Sequence, residues 1–442
     1  MKRIIYFLVL LTICVACQDD ESFSTNTGLR LEFPADTLQF DTVFSQTPSS
    51  TYTFWIHNRN NDGIRLESVR LRRGNQSGFR INVDGIYLDN SNGSQTNDVE
   101  IAKKDSILVF VELTAPETRQ LDPVLVEDDL IFTLESGVQQ KLCLQAWSWD
   151  AQKWFSPVIA MDTVVSSRVP ILIYGDLTVN EGVTLTIRNT SLYFHDGAGL
   201  EVYGNLQTEN CLLRGDRLDR MFSYLPYDHI SGQWKGIHLY PSSTSNELIR
   251  TEIRNPQYGV ICDSAALDTT QCRLRMEECI VHNCAGNGVE AANSYIRLEN
   301  CQLTNTLGHC LSVSGGIGEI SYCTLAQFYP FSADRGAALH FSNRLTPLLR
   351  FLLEGSIVTG YEDDVMAGER NDQLAFEYAF SNSLLRTPQS GLDSLRCQQI
   401  IWETPEDSIQ GKQHFVIIDE DNLVYDFHLD TLSTAKGLGC YR

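Results

Sequence analysis

Cys279, Cys301 and Cys323 stand 22 residues apart, and each opens the same short phrase. The chain reads Cys279-Ile280-Val281-His282-Asn283, then Cys301-Gln302-Leu303-Thr304-Asn305, then Cys323-Thr324-Leu325-Ala326-Gln327. A small residue, an apolar residue two places on and an amide four places on, repeated at this period, describe one coil of a parallel β-helix. A single coil cannot bury its apolar face, whereas stacked coils bury a continuous core. Aligning the phrases places Thr251, Cys279, Cys301, Cys323, Ser356 and Ser383 at one inward position. Ile253, Val281, Leu303, Leu325, Val358 and Leu385 share the next, two residues on, as strand alternation requires. Asn255, Asn283, Asn305 and Gln327 then form an amide row at a turn, with neighbours about 4.8 Å apart. A second strand sets Ile237, Val260, Val289, Leu311 and Leu339 inward.

The coil spacings of 28, 22, 22, 33 and 27 residues imply loops inserted in some coils and absent in others. The largest is Asp216 to Gly232; others are Asp263–Gln271, Gln327–Gly336 and Tyr361–Gln373. In a solenoid such insertions emerge at fixed corners and build the binding face. Residues after about 400 are expected to cap the open end of the ladder.

Residues 28–150 have a different texture. Leu38–Val43, Thr51–His57, Gly63–Arg70, Phe79–Val83, Ser106–Leu113, Leu130–Leu134 and Gln140–Trp147 are short alternating segments. Polar turns at Asn58–Gly63 and Asp89–Asn97 divide them, so the pattern predicts a β-sandwich of some seven strands. The fold class is therefore all-β, a sandwich followed by a single-stranded parallel β-solenoid over residues 155–442.

The start of the chain reads as an address. Lys2 and Arg3 precede an apolar stretch, Ile4 to Val15, too short to span a bilayer but right for a signal-peptide core. Val15-Ala16-Cys17 resembles a bacterial lipoprotein signal, with residues 1–16 removed and Cys17 lipidated, although Cys14 stands where that signal usually has leucine. Gln18-Asp19-Asp20-Glu21 opens a solvated tether, residues 17–27, and resembles the surface-export signal of Bacteroidetes lipoproteins. Asp41-Thr42-Val43-Phe44, Phe54-Trp55-Ile56-His57-Asn58 and Phe79-Arg80-Ile81-Asn82 resemble immunoglobulin-like modules of the ASH and MSP kind, which implies a stalk or platform. Ile173-Tyr174-Gly175-Asp176-Leu177 and Glu201-Val202-Tyr203-Gly204-Asn205-Leu206 resemble the first coils of right-handed β-helix domains in Bacteroidetes surface lipoproteins, which implies the same handedness here and lends no activity. The implied location is the outer membrane, exposed at the surface and held by the lipid.

Thirty-four basic residues, less Lys2 and Arg3, leave 32 against 56 acidic ones, a balance that argues against nucleic acid as a partner. Thirteen cysteines, less Cys14 and Cys17, leave eleven. The regular spacing reads Cys211, Cys279, Cys301, Cys310 and Cys323 as buried and unpaired. Cys262 and Cys272 bracket a polar insertion and are the pair expected to form a disulfide. No cysteine or histidine cluster has zinc spacing, and no metal site or cofactor is expected.

Candidate ligand residues lie outward on the second strand. His238, Ile261, Glu290, Ser312 and His340 form a column, with Trp234 and Tyr240 beside it. Rings that stack on sugar faces and carboxylates that bond hydroxyls suit extended polysaccharide. The Asp216–Gly232 loop carries Asp216, Arg217, Asp219, Arg220, Asp228 and His229. Its carboxylates and imidazole, Asp216, Asp219 and His229 foremost, are candidates for acid and base on a glycosidic bond, weighed against a loop laced with surface salt bridges. The expected function is non-enzymatic binding or scaffolding, contacting glycan or surface proteins through the loop-bearing face. The alternative is a polysaccharide lyase or glycoside hydrolase, and only the lyase would call for Ca²⁺.

Overall fold

The computed structural model describes residues 22–441, so Cys17, the expected signal peptide and the start of the tether lie outside the described residues. The chain divides between Asp150 and Ala151 into two compact units. Regular elements among the described residues are strands and short 3-10 turns.

In the first unit two sheets share one core. The larger orders Thr37–Phe44, Gln139–Trp149, Val124–Leu134, Ile64–Leu71 and Gln95–Ile101; the smaller orders Tyr52–His57, Ser106–Leu113, Phe79–Val83 and Ile86–Tyr87. Alternate residues point inward, among them Ile56, Ile81 and Val109 from one sheet and Leu66, Phe132 and Leu142 from the other. Gln95–Ile101 begins inside what the sequence reads as a polar turn. Thr96, Val99 and Ile101 are buried, but Asp98 takes a positive φ of 55°, which breaks the simple alternation that marks a strand in sequence.

The second unit is a parallel solenoid whose coils each lay one strand on three faces. Eleven segments stack in the first, the A face, from Gln152–Phe155 to Ile401–Trp402. The B face runs from Val158–Ile159 to Met366–Glu369 and the C face from Thr163–Ser166 to Cys397–Gln398. The expected inward columns hold. Ile253, Val281, Leu303, Leu325, Val358 and Leu385 are in register on the A face, and Ile237, Val260, Val289, Leu311 and Leu339 on the B face. Each such side chain removed from water contributes about 1.5–3 kcal/mol.

The cysteine phrase marks the C-to-A corner. The residue before each small one has a left-handed backbone: Arg250, Glu278, Asn300, Tyr322, Gly355 and Asn382 have φ between 45° and 60°. That turn leaves the next N–H pointing along the ladder, and the small residue of the following coil accepts it. Cys301 N–H donates to Cys323 Sγ (3.4 Å), Cys323 N–H to Ser356 Oγ (3.0 Å) and Ser356 N–H to Ser383 Oγ (3.0 Å). The position therefore takes a small acceptor, sulfur or oxygen. All eleven cysteines among the described residues are free thiols. This corrects the expected Cys262–Cys272 disulfide: Cys262 faces the core and Cys272 directs its S–H to the Leu274 carbonyl.

The C-terminal segment departs from expectation. The end of the bore is closed earlier, where Leu392, Cys397, Ile400 and Trp402 pack against the core. Beyond them, Phe415–Asp419 and Val424–Leu429 pair as an antiparallel hairpin lying on the outside of the A face. Phe415, Ile418 and Phe427 cover Ala326, Phe328, Ile357 and Leu384 there. A buried cluster ties the hairpin down. Glu403 accepts from Arg386 Nη1, Thr359 Oγ1 (2.9 Å) and Gly411 N–H (2.6 Å), lies 3.3 Å from His414 Nε2, and His414 Nδ1 meets Ser433 Oγ (2.9 Å). The insertion expected at Tyr361–Gln373 in fact contains a B-face strand, Met366–Glu369.

Candidate functional site

Outward residues of the A face form two columns. One runs Ser191, Leu212, Glu252, Ile280, Gln302, Thr324, Ile357 and Leu384; the other runs Tyr193, Arg214, Arg254, His282, Thr304, Ala326 and Thr359. The C-terminal hairpin covers the later rungs and leaves the earlier ones uncovered. At the boundary lies a cavity of about 360 Å³, lined by Arg254, Ile280, His282 and Gln302 from the face. Asp228 and His229 reach it from the Asp216–Gly232 loop, and Tyr425, Asp426, Phe427, His428 and Tyr441 from the C-terminal segment.

Its charges are held in place. Asp228 lies 2.7 Å from Arg214 Nη1 and 3.3 Å from Arg254 Nη1, and Arg254 also donates to Glu252. Burial pushes the Asp228 carboxyl up, but the two guanidiniums outweigh it and hold it below the usual range. Burial likewise lowers Arg254, and Glu252 and Asp228 more than restore it. His282 sits between the Arg254 and Thr304 rungs, with Nδ1 2.8 Å from Thr304 Oγ1. Burial, reinforced by Arg254, pushes it down to about 3, so its imidazole is neutral at physiological pH. Burial lowers His229 as well. Asp426 accepts from the His428 N–H and ring and is lowered. Tyr441, stacked on His428 at 4.1 Å, donates to Gln302 Oε1 (3.0 Å), and burial pushes its hydroxyl up to about 12. Tyr425 Oη is buried in the wall without a hydrogen-bond partner.

Chemically, this is a pocket of rings, neutral imidazoles and oriented donors and acceptors. A glycoside hydrolase needs one carboxylic acid kept protonated near neutrality. Asp228 and Asp426 are both lowered, so neither fills that role.

The cavity opens into two further depressions of about 460 and 500 Å³. The first shares Ile280, Gln302 and Tyr441 with it, and the second continues past Arg250 and Glu278 to Ser191 and Asn189. The floor spans five rungs, Ser191 to Gln302, four intervals of about 4.8 Å each, or about 19 Å.

Of the candidate site residues singled out in the sequence, Asp228 and His229 line the cavity. Asp216 is buried against His195 Nδ1 (2.7 Å), and its burial raises its pKa. Asp219 is buried and accepts from Arg217 Nε (2.9 Å) and Nη2 (2.6 Å), and that guanidinium lies over Tyr227 at 4.4 Å. Asp219 is thus held in an ion pair with Arg217 and Asp216 in a hydrogen bond with His195, both buried and not on the surface. Trp234 was expected outward and is instead 1% exposed, stacked on Phe194 at 4.3 Å with its Nε1–H donated to the Arg254 carbonyl. Gly236, at φ 104°, turns the corner before the strand begins at Ile237, so alternation cannot be counted back to residue 234. The outward column on the B face exists: His238 pairs with Asp263 (3.0 Å) and stacks on Tyr240 (4.0 Å), Glu290 accepts from Asn287 (2.8 Å), and His340 meets Ser312 (2.9 Å). These side chains bind one another on a different face from the cavity. Among the described residues no group of three or more His, Cys, Asp or Glu is arranged to hold a metal ion.

Residues 173–325 match the family model described as the right handed beta helix region. The solenoid is a right-handed parallel β-helix. No curated protein matches the chain.

Proposed function

We propose that this chain is a surface lipoprotein, anchored through Cys17, that holds an extended, hydroxyl-rich glycan along the A face of its β-helix. The sandwich, on this reading an immunoglobulin-like module, serves as stalk or platform. One observation carries the binding reading: the Asp216–Gly232 loop, the open A face and the C-terminal hairpin converge on one cavity that runs on as a five-rung groove. The lining supports it. Tyr441, His428 and Tyr425 offer ring faces for sugar, while Arg254 and Gln302 offer bonds to hydroxyls. The opposed charges of Arg254, Asp228 and Asp426 favour a neutral polyol over a polyanion.

Retention of the full chain on a panel of neutral and acidic polysaccharides tests this. Arg254→Ala and Tyr441→Ala are each expected to weaken retention about tenfold, the scale of 1.4 kcal/mol; retention unchanged in both removes the groove from the account. For the anchor, Cys17→Ala should move the protein from the membrane fraction to the soluble one. The enzymatic alternative draws on one feature, the placement of the His282 imidazole in the cavity wall on the rung next to the Arg254 guanidinium. Product release from the same panel, abolished by His282→Ala, would replace binding by a lyase reading.

A further inference from the structure

The two columns of the A face continue past the groove without a break in register, yet the groove stops. Its floor is partly exposed at Ser191, Leu212, Glu252 and Ile280. At the next rung Gln302 is bound by the Tyr441 hydroxyl, and from Thr324 to Ile357 and Leu384 the same column is buried. The stop is built from specific contacts. Cys440 N–H donates to Thr324 Oγ1 (3.2 Å), Gly439 N–H to the Gly355 carbonyl (2.8 Å), and Phe415, Ile418 and Phe427 pack on Ile357 and Leu384. On the A-to-B side Asp228 and His229 rise beside the last open rungs, and Tyr425 and Asp426 stand at the end. A strand ladder that could seat a chain of any length is thus blocked at one end by the molecule's own C-terminal segment. The cavity where rings and donors converge lies against the block.

We propose that the groove recognises a chain terminus: one end of a linear glycan sits in the cavity against Tyr441 and Tyr425, and the rest runs out over Ile280, Glu252 and Leu212. This rests on the glycan reading of the same site. A chain could enter only end-on, because a segment continuing in both directions would collide with the hairpin. The ligand is therefore a linear chain with a free end, and a macrocyclic glycan or a chain held by that end is excluded.

The experiment uses the full chain and an array of linear oligosaccharides, each immobilised through its reducing end, through its opposite end, or left free as competitor, with the parent polymers alongside. Any glycan that binds is expected to do so in one orientation only, with a preference of at least about tenfold. Competition should scale with the molar concentration of chain ends, not with polymer mass. Tyr441→Ala combined with Gln302→Ala removes the contact that closes the last open rung and should reduce the orientation preference while leaving Arg250 and Glu278 contacts in place. Equal binding in both orientations, or competition that follows polymer mass, overturns terminus recognition and leaves glycan binding standing. Absence of binding to every glycan in every form overturns both.

Discussion

The two halves of the A face are the same ladder with opposite exteriors. From Ser191 to Gln302 the outward columns carry Arg214, Glu252, Arg254, Ile280 and His282; from Thr324 to Leu384 they carry Ala326, Ile357 and Leu384. The apolar inward positions, the left-handed C-to-A corner and the strand pairing run through both, while the A-to-B corner is left-handed at Asn255, Asn283 and Asn305 and not at Gln327. What also changes is whether the outer surface gains more from water or from an apolar partner. A half with charged side chains stays open. A half with two large apolar residues and an alanine draws down the chain's own Phe415, Ile418 and Phe427. The fate of a β-helix face is thus decided by its outward positions.

The sharpest way to break this comparison is at the buried cluster that pins the covered half. Glu403→Ala leaves Arg386 and His414 buried without their carboxylate, at a cost of about 3–5 kcal/mol. It should make residues 411–441 sensitive to protease while the coils stay resistant; an unchanged digestion pattern would show that the hairpin does not depend on the cluster. Truncating apolar residues should distinguish the halves next. Phe427→Ala is expected to cost about 3–5 kcal/mol, whereas Ile280→Ala, on the partly exposed floor, should cost about 1 kcal/mol, both read from denaturant midpoints. Equal losses would mean the open half is covered in solution.

The corner position gives a finer test, independent of either half. Cys323→Ser should cost less than about 1 kcal/mol, because Ser356 and Ser383 already fill that role. Cys323→Ala strands the Cys301 N–H without its acceptor, at about 1–3 kcal/mol. Burial pushes the Cys279 and Cys301 thiols well up, so both should resist alkylation in the native protein and react once it is unfolded, without reductant. The smallest effect is with pH. Burial raises the Glu403 carboxyl, but His414, the Gly411 N–H and Arg386 outweigh it and hold it below its usual 4.5. Its contribution is therefore complete above pH 4.5 and fades as pH falls through the lower folded value. Hairpin release should rise in that acid window, and Glu403→Gln should abolish the dependence.

The coils were legible because they repeat. Inward alternation carried from Ile253 to Leu385 without error, and Arg254 and His282 could have been found by reading the residue after each inward Ile253 and Val281. Trp234 was misread because a glycine corner interrupts the count. Tyr425, Asp426 and Tyr441 were out of reach for another reason. They join the site by folding back across the face, Tyr441 to Gln302 over 139 residues, and no local periodicity encodes such a contact. The strand Gln95–Ile101 escaped because its bent backbone hides the period of two.

The corner thiols also put a constraint on timing. In the finished protein each sulfur is enclosed by the coil above and the coil below, out of reach of an oxidant. In the unfolded chain all eleven are accessible, and three lie at equal short intervals where one can attack the next. Should Cys17 hold the chain in an oxidising compartment, as proposed, productive assembly becomes a race. Coils must close over Cys279, Cys301 and Cys323 before a bridge joins any two of them, because such a bridge would use up an acceptor that the turn requires. Winding coil upon neighbouring coil, with only short stretches of chain to bring together, is the order of assembly that wins that race.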